Sequence, residues 1–350
     1  MNAPTEGELP ETIADEEALE ELLSRPTPET IAAVGELTGT LAIIGGGGKI
    51  GPSLTRMACR ARDEAGADLR VLVVDRFPDA SVRDRLAAAG AETATCDLLD
   101  PSAVADLPDA GNVVYMVGMK FGTAAAPALT WAINTVVPAH VARRYRGSRM
   151  AAFSTGCVYE MVPAESDGSV ETDPLTPVGE YANSCVGRER VLEHFAATDG
   201  TPMVLVRLNY AVEMRYGVLV DLAQAVLDGR EIDVTTGWFN VLWQGDVNAS
   251  VLRLLGRATS PATAINLTGP EKLSTRRTAA RLGELTGREV RFAGAEAATA
   301  WLSDASRARE LLGPPRVDAE RVIRWTARWI ADGGPTLGKP THFQERGGEY

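Results

Sequence analysis

Short apolar runs recur along the first two thirds of the chain, each closed by turn residues and followed by a stretch with helical spacing. Leu41–Ile44, Leu69–Val74, Ala91–Leu98, Asn112–Val117, Met150–Thr155 and Met203–Leu208 read as successive buried strands. The intervening stretches, through Leu54 and Met57, through Asn134, Val137 and Val141, and from Tyr181 to Phe195, carry helical periodicity. Strands with little polar alternation are buried on both faces, as parallel strands between layers of helices are. The alternation predicts an α/β fold of Rossmann type, a doubly wound parallel sheet.

Beyond Asn209 the rhythm changes. A helix is expected over Tyr216–Leu227, short strands at Glu231–Val234 and Phe239–Trp243, and a helix capped by Asp246 and running to Gly256. A strand at Ala264–Leu267 and helices at Ser274–Thr286 and Asp318–Ala331 follow. These elements read as a smaller C-terminal α+β substrate lobe covering the C-terminal edge of the sheet. Before the first strand, Glu11–Leu23 places Leu19, Leu22 and Leu23 on one side, and Thr27-Pro28 supplies an N-cap and a first-turn proline for a second helix. The expected organisation is a helical extension over 1–39, a Rossmann-type domain over 40–210, the smaller lobe over 211–332, and a Gly- and Pro-rich surface arm over 333–350.

Composition narrows the classes. A net charge of -12 argues against a nucleic-acid surface. No apolar run approaches the roughly 20 residues that span a bilayer, and the acidic N-terminus lacks the pattern of a secretory signal. Cys59, Cys96, Cys157 and Cys185 are far apart with no CxxC, which suits reduced cytoplasmic thiols. His140, His194 and His342 are not at metal-ligand spacing, so no metal is expected. Lysine is scarce, limited to Lys49, Lys120, Lys272 and Lys339.

The candidate chemistry begins after Ile44. The run Gly45-Gly-Gly-Gly-Lys-Ile-Gly51, with Lys49 and Ile50 inside it, joins the first strand to a helix. Glycines there let backbone approach a pyrophosphate at a helix N-terminus. The spacing alone is ambiguous between GxxGxxG on Gly45, Gly48 and Gly51 and GxGxxG on Gly46, Gly48 and Gly51. Asp75 ends the second strand, where a carboxylate accepts hydrogen bonds from a ribose and repels a 2′-phosphate. NAD is therefore expected over NADP, although the adjacent Arg76 is able to partner such a phosphate. Asp97-Leu98 closes the third strand near an adenine position. Lys120 lies in the loop closing the fourth strand, at cofactor height.

Over about residues 40 to 292 the chain resembles the extended short-chain dehydrogenase/reductase family, the NAD-dependent epimerase/dehydratase group acting largely on nucleotide sugars. The resemblance places Gly45, Gly48 and Gly51 in the family's GxxGxxG and Asp97-Leu98 in its adenine-side pair. Phe153-Ser-Thr-Gly-Cys-Val-Tyr159 resembles the strand-five signature, making Thr155 catalytic, and Tyr181 falls at the catalytic tyrosine. Arg207-Leu-Asn209 resembles the Arg-apolar-Asn segment, and Trp243-Gln-Gly-Asp246 the Asp-bearing segment of the second lobe. Asn209, Glu213 and Arg215 stand where the substrate loop runs. Four residues after the tyrosine, where the family carries a lysine that charges the tyrosine and binds ribose, this chain has Cys185. Lys120 is a candidate for the missing charge. The Asp-Glu pair of the 4,6-dehydratases is Gly156-Cys157 here, and a cysteine at this position resembles the sugar 3,5-epimerases, whose cysteine moves a proton beside a transient ketone.

The resemblance implies a sugar or nucleotide-sugar epimerase or dehydratase working through hydride return to NAD, and a homodimer formed by the helices after the fourth and fifth strands. A dehydrogenase or reductase of a sugar or small carbonyl compound, and a non-catalytic NAD-binding regulator, are the alternatives.

Overall fold

In the computed structural model, which describes residues 9–120, 122–123 and 125–348, seven strands form one parallel sheet. They are β1 (Gly39–Ile44), β2 (Leu69–Asp75), β3 (Glu92–Thr95), β4 (Asn112–Tyr115), β5 (Arg149–Thr155), β6 (Met203–Leu208) and β7 (Thr263–Leu267). Their spatial order is β3-β2-β1-β4-β5-β6-β7. Every neighbouring pair is parallel, with Gly39 against Leu69, Leu41 against Asn112 and Met150 against Met203. The order reverses between β1 and β4, and a crevice at such a switch point is where open α/β sheets bind ligands.

Side chains alternate across the sheet. Leu41, Ile43, Val71, Val73, Val114, Ala151 and Val206 face one helical layer. Ala42, Ile44, Leu72, Val74, Val113, Tyr115, Met150 and Leu205 face the other. The helices in chain order are α1 (Glu16–Ser24), α2 (Pro28–Gly35), α3 (Gly51–Ala65), α4 (Ala80–Ala88), α5 (Pro101–Ala105), α6 (Pro127–Trp131), α7 (Val137–Arg144), α8 (Gly179–Asp199), α9 (Val218–Leu227), α10 (Gln244–Leu254), α11 (Thr275–Thr286), α12 (Ser306–Leu312) and α13 (Ala319–Ala331). A single π-helical segment, Ala132–Val136, joins α6 to α7.

The N-terminal helices start where their caps dictate. Asp15 accepts from the Ala18 amide at 2.8 Å, and Thr27 from Thr30 at 3.3 Å with Pro28 in the first turn. Leu19, Leu22 and Leu23 then join Val218, Leu222, Phe239, Trp243 and Trp325 in a second core.

Three expectations are corrected. The strand expected in the lobe at Ala264–Leu267 is β7, the edge of the main sheet, paired with β6 from Val204 against Thr263 to Leu208 against Leu267. Asp246 is no N-cap: α10 begins at Gln244, and the Asp246 carboxylate instead accepts from the Val317 amide at 3.0 Å. The C-terminal segment is not a free surface arm. Thr341 and Phe343 are buried, Phe343 packs edge-on to Phe239 at 6.1 Å, and Thr341 donates its amide and hydroxyl to Asp221. Residues 1–8 of the extension, Phe121 of the strand-four loop and residues 349–350 lie outside the described residues. Among the described residues no helix is long and apolar enough to cross a membrane, and no three metal-ligating side chains gather.

Candidate active site

The glycine turn lies at the switch point and each glycine meets a different demand. Gly45 adopts φ +85° and donates its amide to Val74 O at 2.7 Å, and a Cβ there would lie 2.7 Å from Val117 Cγ2. A Cβ on Gly51 would lie 2.1 Å from the Gly46 carbonyl oxygen. Those two positions are closed by the protein's own packing. At Gly48 a Cβ would meet nothing nearer than Gly45 O at 3.7 Å, leaving backbone accessible from outside. Ile50 precedes α3 and packs against the sheet's core.

Asp75 closes the turn from the side. Its Oδ2 accepts from the Gly47 amide at 2.9 Å and its Oδ1 from Arg76 at 2.7 Å. Arg76 is exposed. Asp97 accepts from the Leu99 amide at 3.1 Å, while Leu98 is buried and its carbonyl meets the His140 ring. Lys49 Nζ sits 3.4 Å above the Tyr216 ring, and burial together with Lys339 and Lys120 pushes its ammonium down to about 8. An open backbone cradle between β1 and α3, flanked by a strand-end carboxylate, fits a dinucleotide.

The second cluster gathers at the C-terminal ends of β4 and β5. Thr155 ends β5 and its Oγ1 accepts from the Cys157 amide at 3.2 Å, holding Gly156–Val158 in a single 3₁₀ turn. Tyr181, in the first turn of α8, lies where Thr155 and Cys185 both act on its phenol. Burial, then Cys185 and Cys157, raise the Tyr181 phenol well above its ordinary range, while Arg188 and Thr155 oppose them. Lys120 Nζ lies 5.9 Å from the Tyr181 ring centroid, and burial depresses its ammonium. Cys157 and Cys185 are both buried, and burial raises the Cys185 thiol. Thr155, Cys157, Tyr181, Cys185 and Lys120 therefore share one place.

The three expected substrate residues are each held by protein partners. Asn209 donates its amide to Asn240 at 3.2 Å and to Trp301 O at 3.4 Å, fastening the sheet to the lobe. Arg215 pairs with Glu20 at 2.7 Å, Glu213 at 3.1 Å and Glu16 at 3.4 Å, tying the lobe to α1.

Sequence reading missed the supports of the cluster. Asn134 sits in the π-helical segment, whose extra residue turns it toward the strand-four loop. It accepts from the Met119 amide at 3.0 Å and donates to Met119 O at 3.2 Å and Ser184 Oγ at 2.8 Å. Glu189, also missed, pairs beneath β5 with Arg207 of the Arg-apolar-Asn segment, and both are buried. The available signal was helical spacing: Ser184, Arg188 and Glu189 fall three, seven and eight residues after Tyr181, on the inward side of α8.

The model of the NAD dependent epimerase/dehydratase family matches residues 41–232, more than half of the chain. No curated protein sequence matches. Among solved structures, the UDP-glucose 4-epimerase of Thermotoga maritima, solved with UDP-glucose, superposes with TM-score 0.70 at 19% identity over 84% of this chain and 99% of that one. A dTDP-glucose 4,6-dehydratase from Streptomyces venezuelae, solved with NAD, gives 0.71 at 20% identity over 84% and 97%. The UDP-glucuronic acid 4-epimerase of Bacillus cereus, solved with UDP-glucuronic acid and NAD, gives 0.68 at 16% identity over 84% and 99%. At these identities the superpositions establish the fold, and the family match adds the lineage: the chain belongs to the NAD-dependent epimerase/dehydratase family.

Proposed function

We propose that this protein inverts or rearranges a sugar or nucleotide sugar through a transient ketone, with the hydride returned to the same carbon skeleton. The observation that carries the reading is the gathering of Thr155, Cys157 and Tyr181 where the end of β5 meets the first turn of α8. Gly45, Gly48 and Gly51, with Lys49 and Asp75, are the residues that would hold NAD. NAD when bound supplies a reversible acceptor for the hydride of a carbinol carbon.

The chain's own residues handle protons. Thr155 hydrogen-bonds the reacting hydroxyl and orients it against Tyr181. As a phenolate, Tyr181 takes the hydroxyl proton and later returns it. Cys157 as thiolate removes the proton from the carbon beside the transient carbonyl, and a proton delivered from water to the opposite face of the resulting enolate inverts that centre. With Gly156 and Cys157 where 4,6-dehydratases carry Asp and Glu, epimerisation is favoured over dehydration.

The test is turnover in deuterium oxide with NAD and a panel of UDP- and dTDP-linked hexoses and hexuronic acids, followed by NMR. Expected are a changed stereocentre carrying deuterium, no net reduced cofactor, and a loss of about 10²- to 10⁴-fold in Tyr181→Phe. Accumulating reduced cofactor would instead mark a dehydrogenase. Tight NAD binding with no turnover of any substrate would mark a regulatory protein.

A further inference from the structure

Two turns along α8 from Tyr181, Arg188 carries a positive charge into the base of the same cluster. Its side chain is 4% exposed. Nη1 donates to Phe153 O at 3.0 Å and Nη2 to Asn134 Oδ1 at 2.6 Å, while Nε meets no hydrogen-bond partner among the described residues. Gly118 makes room for it: a Cβ there would lie 2.6 Å from Nη2. The neighbouring carboxylate, Glu189, is taken by Arg207 at 2.7 Å. Arg188 is thus buried against neutral oxygen atoms.

That arrangement is expensive. A guanidinium does not shed its proton in a protein, so its burial cannot be relieved by neutralisation. Taking a charge out of water without an ionic partner is strongly unfavourable. A costly buried charge beside a cleft is a functional candidate when a specific partner gains from it. Here the partner is on the same helix. Positions 181, 185 and 188 fall on one stripe of α8, so the phenol, the Cys185 thiol and the guanidinium line up along it. The Arg188 charge acts on Cys185, on Tyr115, whose buried hydroxyl also lacks a hydrogen-bond partner among the described residues, on Tyr181 and, less than on these, on the Glu189 carboxylate that Arg207 holds.

We propose that Arg188 is the fixed cation that replaces the lysine absent at position 185, acting through Tyr181 and across Cys185 to favour the phenolate. This rests on Tyr181 being the catalytic base and makes Arg188 a positioning residue, since it touches neither substrate nor cofactor. The groups facing Tyr181 are Cys185 and Arg188 on its own helix, Thr155 and Cys157 from the end of β5, and Lys120 from the strand-four loop. The thiols disfavour the phenolate. Of the two cations, Lys120 is itself pushed toward neutrality by burial, whereas Arg188 is held in place by two strand- and helix-borne oxygens.

The test replaces Tyr181 by a ring-fluorinated tyrosine, whose more acidic phenol titrates while the protein stays folded, and follows its fluorine resonance against pH with and without NAD. Arg188→Met should move the midpoint up by about one pH unit or more. Cys185→Lys added to Arg188→Met should bring it back down, and Lys120→Met alone should move it less than Arg188→Met does. Circular dichroism establishes that each variant is folded. Should Arg188→Met fail to fold, Arg188→Gln retains a donor for Phe153 O without the charge and serves in its place. An unchanged midpoint in a folded Arg188 variant, or a larger shift in Lys120→Met, overturns the proposal. The measurement needs no turnover, so it stands apart from the loss of activity in Tyr181→Phe.

Discussion

Glu189 and Arg207 meet at 2.7 Å with side chains 0% and 4% exposed, a salt bridge wholly enclosed between α8 and the sheet. Each also serves other groups. Ser154 donates to Glu189 at 2.5 Å, and Arg207 donates to the Tyr159 hydroxyl at 2.6 Å and to Glu171 O at 3.0 Å. The pair therefore locks the segment carrying Thr155 to the helix carrying Tyr181. Removing one partner leaves the other charge buried and unpaired, at a cost of about 3–5 kcal/mol. Arg207→Met is expected to lower the thermal midpoint sharply, and Glu189→Gln with Arg207→Met to recover part of the loss. A loss in the double variant equal to the sum of the two single losses would show that the pair is not coupled.

Asp75 is expected to set the preference between NAD and NADP. Its carboxylate is fixed by the amides of Gly47 and Arg76, which leaves a negative charge at the end of β2. Asp75→Ala should weaken NAD binding by about tenfold, the worth of a charge-assisted hydrogen bond. It should also narrow the gap between NAD and NADP, because Arg76 remains beside the vacated position. Titration calorimetry with both dinucleotides checks this. An unchanged preference would remove Asp75 from the reading of the cofactor site.

Asp246 gives the fold a pH signature. Burial raises its carboxyl to about 6 despite the Val317 and Arg316 amides. An unfolded aspartate titrates near 3.9, so between about pH 4 and 6 the folded state binds the extra proton and stability falls as pH rises. Above that window the penalty is complete. Asp246→Asn keeps an acceptor for Val317 without a charge to bury, and should stabilise the protein at pH 7–8 by on the order of 1–2 kcal/mol while making little difference at pH 4. Denaturant melts at the two pH values separate this from a plain packing effect, which would be equal at both.

Leu129, Trp131 and Val136 project from α6 and the π-helical segment with 45%, 39% and 43% exposure. They lie on the helix following β4, where the sequence resemblance places a dimer contact. The expected solution state is a homodimer, and Leu129→Asp with Val136→Asp should dissociate it without unfolding, since neither side chain is part of a core. Sedimentation velocity reports the outcome. An unaltered dimer would move the contact to another face, and a monomeric parent protein would eliminate it.

What was legible in the sequence follows from how local each signal is. The apolar runs of β1 to β6 and the glycine turn are written in contiguous residues, and Thr155 and Tyr181 could be placed from their immediate neighbours. β7 was assigned to the lobe because Thr263–Leu267 looks the same wherever it pairs; only its register with Val204–Leu208 places it on the main sheet. The partners that hold Asn209 and Arg215, namely Asn240, Trp301, Glu16 and Glu20, are remote in sequence and leave no local signal. Arg188 stayed hidden for the same reason, since its oxygen partners come from the end of β5 and from a π-helical turn that residue spacing does not announce.

The C-terminal segment was hidden by its composition, and it supplies the last prediction. Glycine and proline between Gly333 and Pro340 suggest a loose tail, yet three anchors follow. Thr341 donates its amide at 2.8 Å and its hydroxyl at 2.5 Å to Asp221, Phe343 packs on Phe239, and Arg346 donates at 2.9 Å to Thr299 O. Gly348 then lies so close to Val178 and Gly179 that a Cβ on it would meet the Val178 carbonyl oxygen at 2.4 Å. The segment therefore spans from the lobe to the first turn of α8, beside Tyr181. Phe343→Ala should cost about 3–5 kcal/mol if the ring is an integral part of the lobe's core. Gly348→Ala leaves that ring in place and strains only the far end, where Gly348 holds φ +81°. It should leave global stability nearly unchanged and increase amide hydrogen exchange at Val178–Ser184. Unchanged exchange there would mean that the segment braces the lobe alone and leaves the entrance to α8 to fend for itself.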